Sequence, residues 1–244
     1  MEINMSDYLC DKQAKEAIID IGKRIYAHGF VASNDGNISC KVSDNEVWCT
    51  PTGVSKGFMT EDMLVKTDLD GNIMEGTYKG TSEIKMHLRV FKENPQVHSV
   101  VHAHPPIATA FAIAGFSLED PILVEGILAL GSVPLVHYGT PGTNEIPDGV
   151  APYCKDYNAV LLANHGALTW GQNIIQAYYR METLEYYAKV TLLTKFIIGR
   201  ANELSKDQVE EIIKIRTSGG VTGGGVPVCK DVAANMEDIV KSLI

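Results

Sequence analysis

Hydrophobic and polar positions alternate along the chain with both helical and strand periods. Apolar residues recur at helical spacing over residues 7–29, where Ser6 or Asp7 can cap the helix and Gly29 can end it. The pattern predicts further helices at residues 81–93, 105–114, 121–130 and 173–198. It predicts strands at residues 38–42, 46–50, 64–68, 72–75, 99–104, 133–138 and 159–163. Because the strands mix with single helices rather than alternating strictly with them, the pattern favours an α+β layered sheet over a doubly wound one.

Length and composition favour one folded unit. The 244 residues are 45% hydrophobic and 21% charged, which is ordinary for a globular protein. No repeat and no linker rich in Pro, Gly or Ser interrupts the first 215 residues, so we expect a single domain over residues 1–215. The glycine run at residues 218–225 predicts that residues 216–244 form a flexible tail.

Charge and cysteine content narrow the classes of partner and the compartment. The net charge of −9 argues against nucleic acid or an anionic membrane as a partner, since both attract basic surfaces. The five cysteines are scattered without metal-knuckle spacing, and no signal-peptide pattern or membrane-length apolar run occurs in this sequence. These features predict a reduced, cytoplasmic protein.

Three histidines lie at the ends of two apolar runs. His102 and His104 close the run at 99–104, and side chains two residues apart on a strand point to the same face. His165 follows the run at 159–163. The pair could simply be polar residues at a solvent-facing strand end, but the apolar strand that they close favours a metal site. Three imidazoles suit zinc and leave one coordination position for water or substrate, so an enzyme is the first hypothesis.

Glu83 is the natural fourth member of this set. At the start of a predicted helix, its carboxylate could stabilise the helix N-terminus, bind the metal, or act as a general base. The loops at residues 36–37, 52–53 and 80–82 combine small polar side chains with exposed backbone N–H groups. Such loops are common turns, and together they could also form a phosphate pocket without a P-loop.

Five motifs then resemble the class II aldolase/adducin family in their order and spacing. They are Gly36-Asn37-Ile38-Ser39, Thr50-Pro51-Thr52-Gly53, Thr81-Ser82-Glu83, His102-Ala103-His104 and Asn164-His165-Gly166, and the likeness spans about residues 8–200. The resemblance implies an α/β fold with three α/β/α layers around a central, mostly antiparallel sheet. It also implies a homotetramer with active sites between subunits, acting on a small phosphorylated sugar.

The resemblance assigns roles to individual residues. It implies that His102, His104 and His165, with Glu83, hold a divalent ion, with Zn²⁺ expected first and Mn²⁺ or Co²⁺ as alternatives. Glu83 would also be the acid/base, and the substrate phosphate would be held by Asn37, Thr52, Gly53, Thr81 and Ser82. The implied reaction is that of a class II, metal-dependent aldolase. It would cleave a short-chain ketose 1-phosphate, like L-fuculose 1-phosphate or 5-deoxyribulose 1-phosphate, to dihydroxyacetone phosphate and an aldehyde.

The chain departs from the family's aldolases at the aldehyde side of the site. Glu125 stands where those enzymes place a catalytic tyrosine from a neighbouring subunit, and no tyrosine follows Tyr187 to match a second, C-terminal one. A carboxylic acid could protonate the same oxygen, or Glu125 could merely begin a helix. A sugar-phosphate 4-epimerase, a dehydratase and a decarboxylase therefore remain alternatives. A non-catalytic adducin-like module is a further one, against which the histidine triad and Glu83 count.

Overall fold

The computed structural model describes residues 8–229, which form one eight-stranded sheet in the order β4-β3-β2-β1-β5-β8-β7-β6. The strands are β1 (Asn37–Lys41), β2 (Glu46–Cys49), β3 (Val65–Asp68), β4 (Ile73–Glu75), β5 (Ser99–Ala103), β6 (Leu135–Val136), β7 (Ala159–Leu162) and β8 (Gly166–Gly171). The β6–β7 pair is parallel and the other neighbouring pairs are antiparallel. The predicted mostly antiparallel sheet is confirmed.

Helices cover both faces of this sheet. They are α1 (Asp11–Ala27), α2 (Ile84–Glu93), α3 (Pro106–Ala114), α4 (Val124–Ala129), α5 (Glu145–Val150), α6 (Ile174–Thr191) and α7 (Lys206–Ser218). One core joins α1, α3 and α6 to alternate strand residues such as Val101, and a second core joins α2 and α5 to Val100 and its neighbours. The central strands are buried on both faces, which explains why β5 and β7 read as continuous apolar runs.

Element boundaries differ from the sequence pattern in several places. Helix α1 begins at Asp11, where the Gln13 side chain accepts a hydrogen bond from the Cys10 N–H at 3.1 Å; the caps predicted at Ser6 or Asp7 lie outside the described residues. The strand predicted at 133–138 shortens to β6, and the helix predicted at 173–198 becomes π-helical over Leu192–Ile198. Within residues 8–229, no helix combines the length and apolar character needed to cross a membrane.

The C-terminal segment up to residue 229 packs on the domain. The predicted domain boundary at residue 215 falls within α7, whose Val209 contributes to a small core with α4. The N–H groups of Gly224 and Gly225 both donate to the carbonyl of Asp156 at 2.8 Å. A Cβ atom on Gly224 would lie 2.6 Å from the Leu130 carbonyl oxygen, so this glycine permits a close backbone approach. The rest of the predicted tail, from residue 230, lies outside the described residues.

Candidate metal centre

The fold brings the three predicted histidines together at one end of the central strands. His102 lies in β5, His104 follows that strand, and His165 lies in the turn between β7 and β8. One candidate ligand nitrogen from each imidazole lies within 4.8 Å of the other two. The turn is tight, with Asn164 in the left-handed region at φ 58° and Gly166 packed directly against His104. The structure thus brings together the three histidines that the sequence offered as metal ligands.

Hydrogen bonding leaves the histidine nitrogens suited to a cation. His102 Nδ1 lies 2.9 Å from the Ala167 carbonyl oxygen, which can only accept, so Nδ1 carries the proton and Nε2 presents a lone pair. That lone pair faces His104 Nε2 at 3.1 Å. Burial and the neighbouring imidazoles lower the pKa of His102 to about 3 despite the nearby Glu83, which keeps the ring neutral. Neutral imidazole is the form that binds metal, so these residues fit a divalent ion.

Glu83 faces the triad from the N-terminal end of α2. Its two carboxylate oxygens lie 3.4 Å from His102 Nε2 and 3.3 Å from His165 Nε2. Burial alone would raise the pKa of Glu83, but the two histidines and a hydrogen bond from Asn37 lower it to about 2. Its Oε1 is buried and has no hydrogen-bond partner among the described residues. An ionised oxygen that accepts no hydrogen bond and faces a histidine cluster is what a metal ligand or a proton-transfer group requires.

A buried chain of hydrogen bonds holds Glu83 in place. Asn37 lies opposite His102 across the β1–β5 pair and donates from Nδ2 to Glu83 Oε2 at 2.8 Å. The Asn37 Oδ1 atom must then accept from His87 Nε2 at 2.6 Å, so His87 Nδ1 accepts from the Ser39 hydroxyl at 2.7 Å. His87 is completely buried, and burial lowers its pKa to about 4. The sequence interpretation missed His87, which reads there as one more core position of α2.

Asp35 and Lys56 are two further residues that sequence reasoning missed. The Asp35 carboxylate lies 3.5 Å from His104 Nδ1, on the side of the ring away from His102. Lys56 is 1% exposed, and its Nζ donates to the carbonyls of Asn34 and Val54 at 2.8 and 2.6 Å. Burial lowers the pKa of Lys56 to about 8, although Asp35 and Glu83 raise it. No pattern in the sequence marks this lysine as buried, whereas Asp35 could have been suspected from its place beside the Gly36-Asn37 motif.

The structure also brings two of the predicted phosphate loops side by side. Pro51 and Gly80 form an isolated antiparallel bridge, and the Thr81 N–H donates to the Thr50 carbonyl at 3.1 Å. Of the residues that the resemblance assigned to phosphate, Thr52, Gly53 and Ser82 are exposed while Asn37 and Thr81 are buried. The exposed members therefore face solvent, whereas the Asn37 amide is already engaged with Glu83.

Glu125 is not part of this cluster within its own chain. It lies in the first turn of α4, where its side chain is exposed. Within residues 8–229 the Glu125 carboxylate forms no hydrogen bond or ion pair with the triad. A role at the metal centre would require another copy of the chain.

Comparisons with known proteins agree with this geometry. The family model for the class II aldolase and adducin N-terminal domain matches residues 16–192. The chain is 32% identical over 183 residues to an L-fuculose phosphate aldolase of Methanocaldococcus jannaschii, a match that covers 75% of this chain and 98% of that one. It is 29% identical over 208 residues to a 3-oxo-tetronate 4-phosphate decarboxylase of Pectobacterium atrosepticum, covering 83% and 93% of the two chains. A solved L-fuculose 1-phosphate aldolase superposes with a TM-score of 0.79 at 28% identity, covering 88% and 99%.

Proposed function

Because the chain belongs to the class II aldolase and adducin family, we propose that it is a metal-dependent aldolase for a short-chain ketose 1-phosphate. Its products would be dihydroxyacetone phosphate and an aldehyde. The observation that carries this proposal is the cluster of three imidazoles beside the ionised Glu83, whose buried Oε1 accepts no hydrogen bond within residues 8–229. An adducin-like structural role would not require such a buried arrangement, since buried ionised groups without partners are costly.

The metal in this proposal is a divalent ion that His102, His104 and His165 would hold together with Glu83. Imidazole ligands favour zinc, and manganese or cobalt are alternatives. When bound, the ion supplies a Lewis acid that stabilises the negative charge developing on the substrate's carbonyl side as the carbon–carbon bond breaks.

The remaining residues bind substrate and move protons. Thr52, Gly53, Thr81 and Ser82 are proposed to hold the phosphate, with Asn37 keeping Glu83 in position. Cleavage requires that the C4 hydroxyl lose its proton as the C3–C4 bond breaks and the aldehyde leaves. Glu83, which is ionised in the free protein and must first take up a proton from water, then delivers that proton to C3, which completes dihydroxyacetone phosphate. We propose that the chain assembles as a homotetramer, in which Glu125 of one subunit exchanges the O4 proton at the triad of the next.

Decarboxylation is the second candidate, because a 3-oxo-tetronate 4-phosphate decarboxylase is among the relatives of this chain. Loss of carbon dioxide from a β-oxo acid also leaves an electron pair beside a carbonyl. The same metal and the same proton donor would serve that reaction. The two candidates differ in the group that leaves, so product analysis distinguishes them.

Elemental analysis of the purified protein, combined with product assays, tests the proposal. L-fuculose 1-phosphate, 5-deoxyribulose 1-phosphate and 3-oxo-tetronate 4-phosphate would be supplied separately, with detection of dihydroxyacetone phosphate and of carbon dioxide. We expect about one metal ion per chain and chelator-sensitive release of dihydroxyacetone phosphate. His104→Ala should lose both the metal and the activity but keep its circular dichroism, whereas His28→Ala, at an exposed surface pair, should keep all three. Carbon dioxide release without aldol cleavage would select the decarboxylase, and no metal after reconstitution would overturn both.

A further inference from the structure

Two buried arginines lie near each other without a carboxylate partner. Arg180 of α6 is 5% exposed and Arg216 of α7 is 7% exposed. Arg180 donates to the carbonyls of Ala129 and Trp170, and Arg216 to those of Ile127 and Gly225. Over residues 8–229 neither guanidinium forms an ion pair. Burial and repulsion from Arg216 lower the pKa of Arg180 to about 10. Buried charges are normally paired, so this arrangement leaves positive charge to be compensated.

A cavity of about 300 Å³ opens beside Arg180, and we call it the arginine cavity. Its walls are the end of β8, the C-terminal end of α2 and the C-terminal segment, and the residues that matter here are Arg180, Trp170, Gln172, Lys155, Asn158 and Gly223. The volume matches the lower range of pockets that hold small metabolites.

Several residues that line the arginine cavity have hydrogen-bonding groups without a partner among residues 8–229 or with unused capacity. Trp170 is 1% exposed, yet its indole Nε1 has no hydrogen-bond partner in the described part of the chain. A guanidinium has five N–H groups, and Arg180 uses two of them on backbone carbonyls. The Asn158 side-chain oxygen accepts a third at 3.3 Å when the amide is oriented so that its nitrogen donates to the Thr222 carbonyl. The remaining N–H groups of Arg180 are available to a ligand. Lys155 adds an exposed ammonium at the rim. The one lining carboxylate, Glu93, is already paired with Arg89 at 2.8 Å.

The arginine cavity is separate from the metal centre. In the β5–β8 pair, Ser99 and Gly171 lie at the cavity end, while Ala103 and Ala167 lie at the histidine end. Four residue steps along a strand correspond to about 13 Å. A ligand in the cavity would therefore occupy neither the triad nor the loops proposed to hold the substrate phosphate.

We propose that the arginine cavity is a second binding site, which takes a small oxyanion bearing a phosphate or carboxylate group. The anion accepts hydrogen bonds from Arg180 and from the Trp170 indole, and Lys155 attracts it at the rim. Thr222 and Gly223 form one wall, and Asn158 links Arg180 to the Thr222 carbonyl. Bound anion therefore holds the C-terminal segment against the sheet, and it stabilises the folded protein by mass action.

Calorimetry on the full-length protein tests this site, with inorganic phosphate and malonate as separate probes at constant ionic strength and chloride as the blank. Three variants are compared with the wild type. Arg180→Gln removes the buried charge, Trp170→Phe removes the indole donor, and Ser82→Asp repels anions from the proposed substrate loops as the matched control. We expect Arg180→Gln to weaken binding about tenfold or more, the loss typical of a charge-assisted hydrogen bond. Trp170→Phe should weaken binding less, and Ser82→Asp should leave one binding event intact.

The outcomes separate this site from the alternatives. If Arg180→Gln does not fold, Lys155→Glu at the exposed rim carries the same test, with binding expected to weaken at least severalfold. Binding that disappears in Ser82→Asp but persists in the Arg180 and Lys155 variants belongs to the substrate loops and overturns the proposal. Wild-type protein that binds neither probe also overturns it. A change in oligomeric mass in Arg180→Gln would then indicate that a carboxylate of a second copy fills the cavity. A preference for phosphate or for malonate identifies the ligand's charged group.

Discussion

The residues that hold the metal centre differ in how visible they are in a sequence. His102, His104, His165 and Glu83 could be predicted, because each follows or precedes a recognisable apolar element and the strand period puts two of them on one face. His87 could not, because a histidine at an apolar helix position looks the same whether it packs or relays a hydrogen bond. Only the three-dimensional register places it behind Asn37 and Glu83.

The first prediction for a single residue concerns His87. His87→Phe leaves the Asn37 Oδ1 and the Ser39 hydroxyl without partners in a buried space, so the Asn37 amide can turn away from Glu83. We expect kcat to fall about 10- to 100-fold, as for a misplaced acid/base, while KM and metal content stay near wild type. Steady-state kinetics with elemental analysis measures this.

Two further variants make that result specific to positioning. His87→Gln can restore hydrogen bonding to Asn37 and should recover part of kcat, whereas Met86→Leu, at the adjacent buried position of α2, should leave kcat unchanged. Equal kcat values for the Phe and Gln variants would assign His87 to packing alone. Unfolding curves for all three variants show whether each is folded at the assay temperature.

The elements with long apolar runs were predictable, and the missed ones lack that signal. Strand β8 was missed because it begins and ends with glycine and directly follows the Asn164-His165-Gly166 turn. Helix α5 was missed because Pro147 and Gly149 lie within its six residues, and both disfavour a helix interior. The first glycine of β8 nevertheless has a defined purpose, because the β5–β8 pairing presses it against His104.

Gly166→Ala tests that packing. The added Cβ would lie 2.5 Å from His104 Cδ2 and 2.6 Å from the Ala103 carbonyl oxygen, so either the imidazole or the strand pair must shift. We expect the free energy of unfolding to fall by about 2 kcal/mol and the protein to retain metal less well. Urea unfolding and metal titration measure both effects.

The matched control is Gly115→Ala at the end of α3. Gly115 has a positive φ, of 81°, which Gly166 does not, and a Cβ there would meet nothing within 4 Å. Gly115→Ala should lower the free energy of unfolding by only about 1 kcal/mol, because alanine is strained at a positive φ, and should leave metal affinity unchanged. Unaltered metal affinity in Gly166→Ala would mean that the β8 turn does not set the position of His104.

Lys56 connects two loops through its hydrogen bonds to the carbonyls of Asn34 and Val54. Its lowered pKa predicts that its contribution to stability depends on pH. The folded pKa of about 8 lies below the ordinary value of 10.5, so the unfolded chain binds more protons between these values. The contribution of Lys56 to the free energy of unfolding must therefore rise from about pH 8 to pH 10.5. We expect the difference in unfolding free energy, wild type minus Lys56→Met, to be larger at pH 10 than at pH 7.5.

Urea unfolding at both pH values measures that difference. Lys85→Met is the control, because Lys85 is exposed and hydrogen-bonds only at the surface. Its difference from wild type should be nearly the same at the two pH values. A wild-type advantage over Lys56→Met that shrinks at pH 10 would show that Asp35 and Glu83 stabilise the Lys56 ammonium more than burial disfavours it.

The whole molecule was predictable in its layers but not in its C-terminal packing. The pattern of helices and strands favoured an α+β layered sheet, and the resemblance of the motifs to the family implied three layers around a mostly antiparallel sheet. Composition predicted a flexible glycine run, yet Gly224 hydrogen-bonds to Asp156 and to Ser132. Composition describes the freedom of an isolated segment, whereas close backbone approach to another part of the chain is a tertiary property that only the structure reveals.

Assembly is the scale at which Glu125 must act if it is catalytic, because its carboxylate makes no hydrogen bond or ion pair with the triad of its own described chain. Glu125→Gln removes the acid but keeps size and hydrogen bonding, so we expect kcat to fall with little change in substrate affinity. Light scattering should give the mass of a tetramer for both wild type and variant, so that the kinetic loss is not one of assembly.

Mixing subunits then tells which chain supplies Glu125. The experiment uses a 1:1 co-refolded mixture of His104→Ala and Glu125→Gln. A site between two subunits is intact when its triad comes from a Glu125→Gln subunit and its Glu125 from a His104→Ala subunit. Random assembly makes this true for about one quarter of sites, so about one quarter of wild-type activity should return. If Glu125 served its own chain, every site would carry one defect, and activity would stay at the average of the two variants. The separately refolded proteins, combined only afterwards, give that baseline.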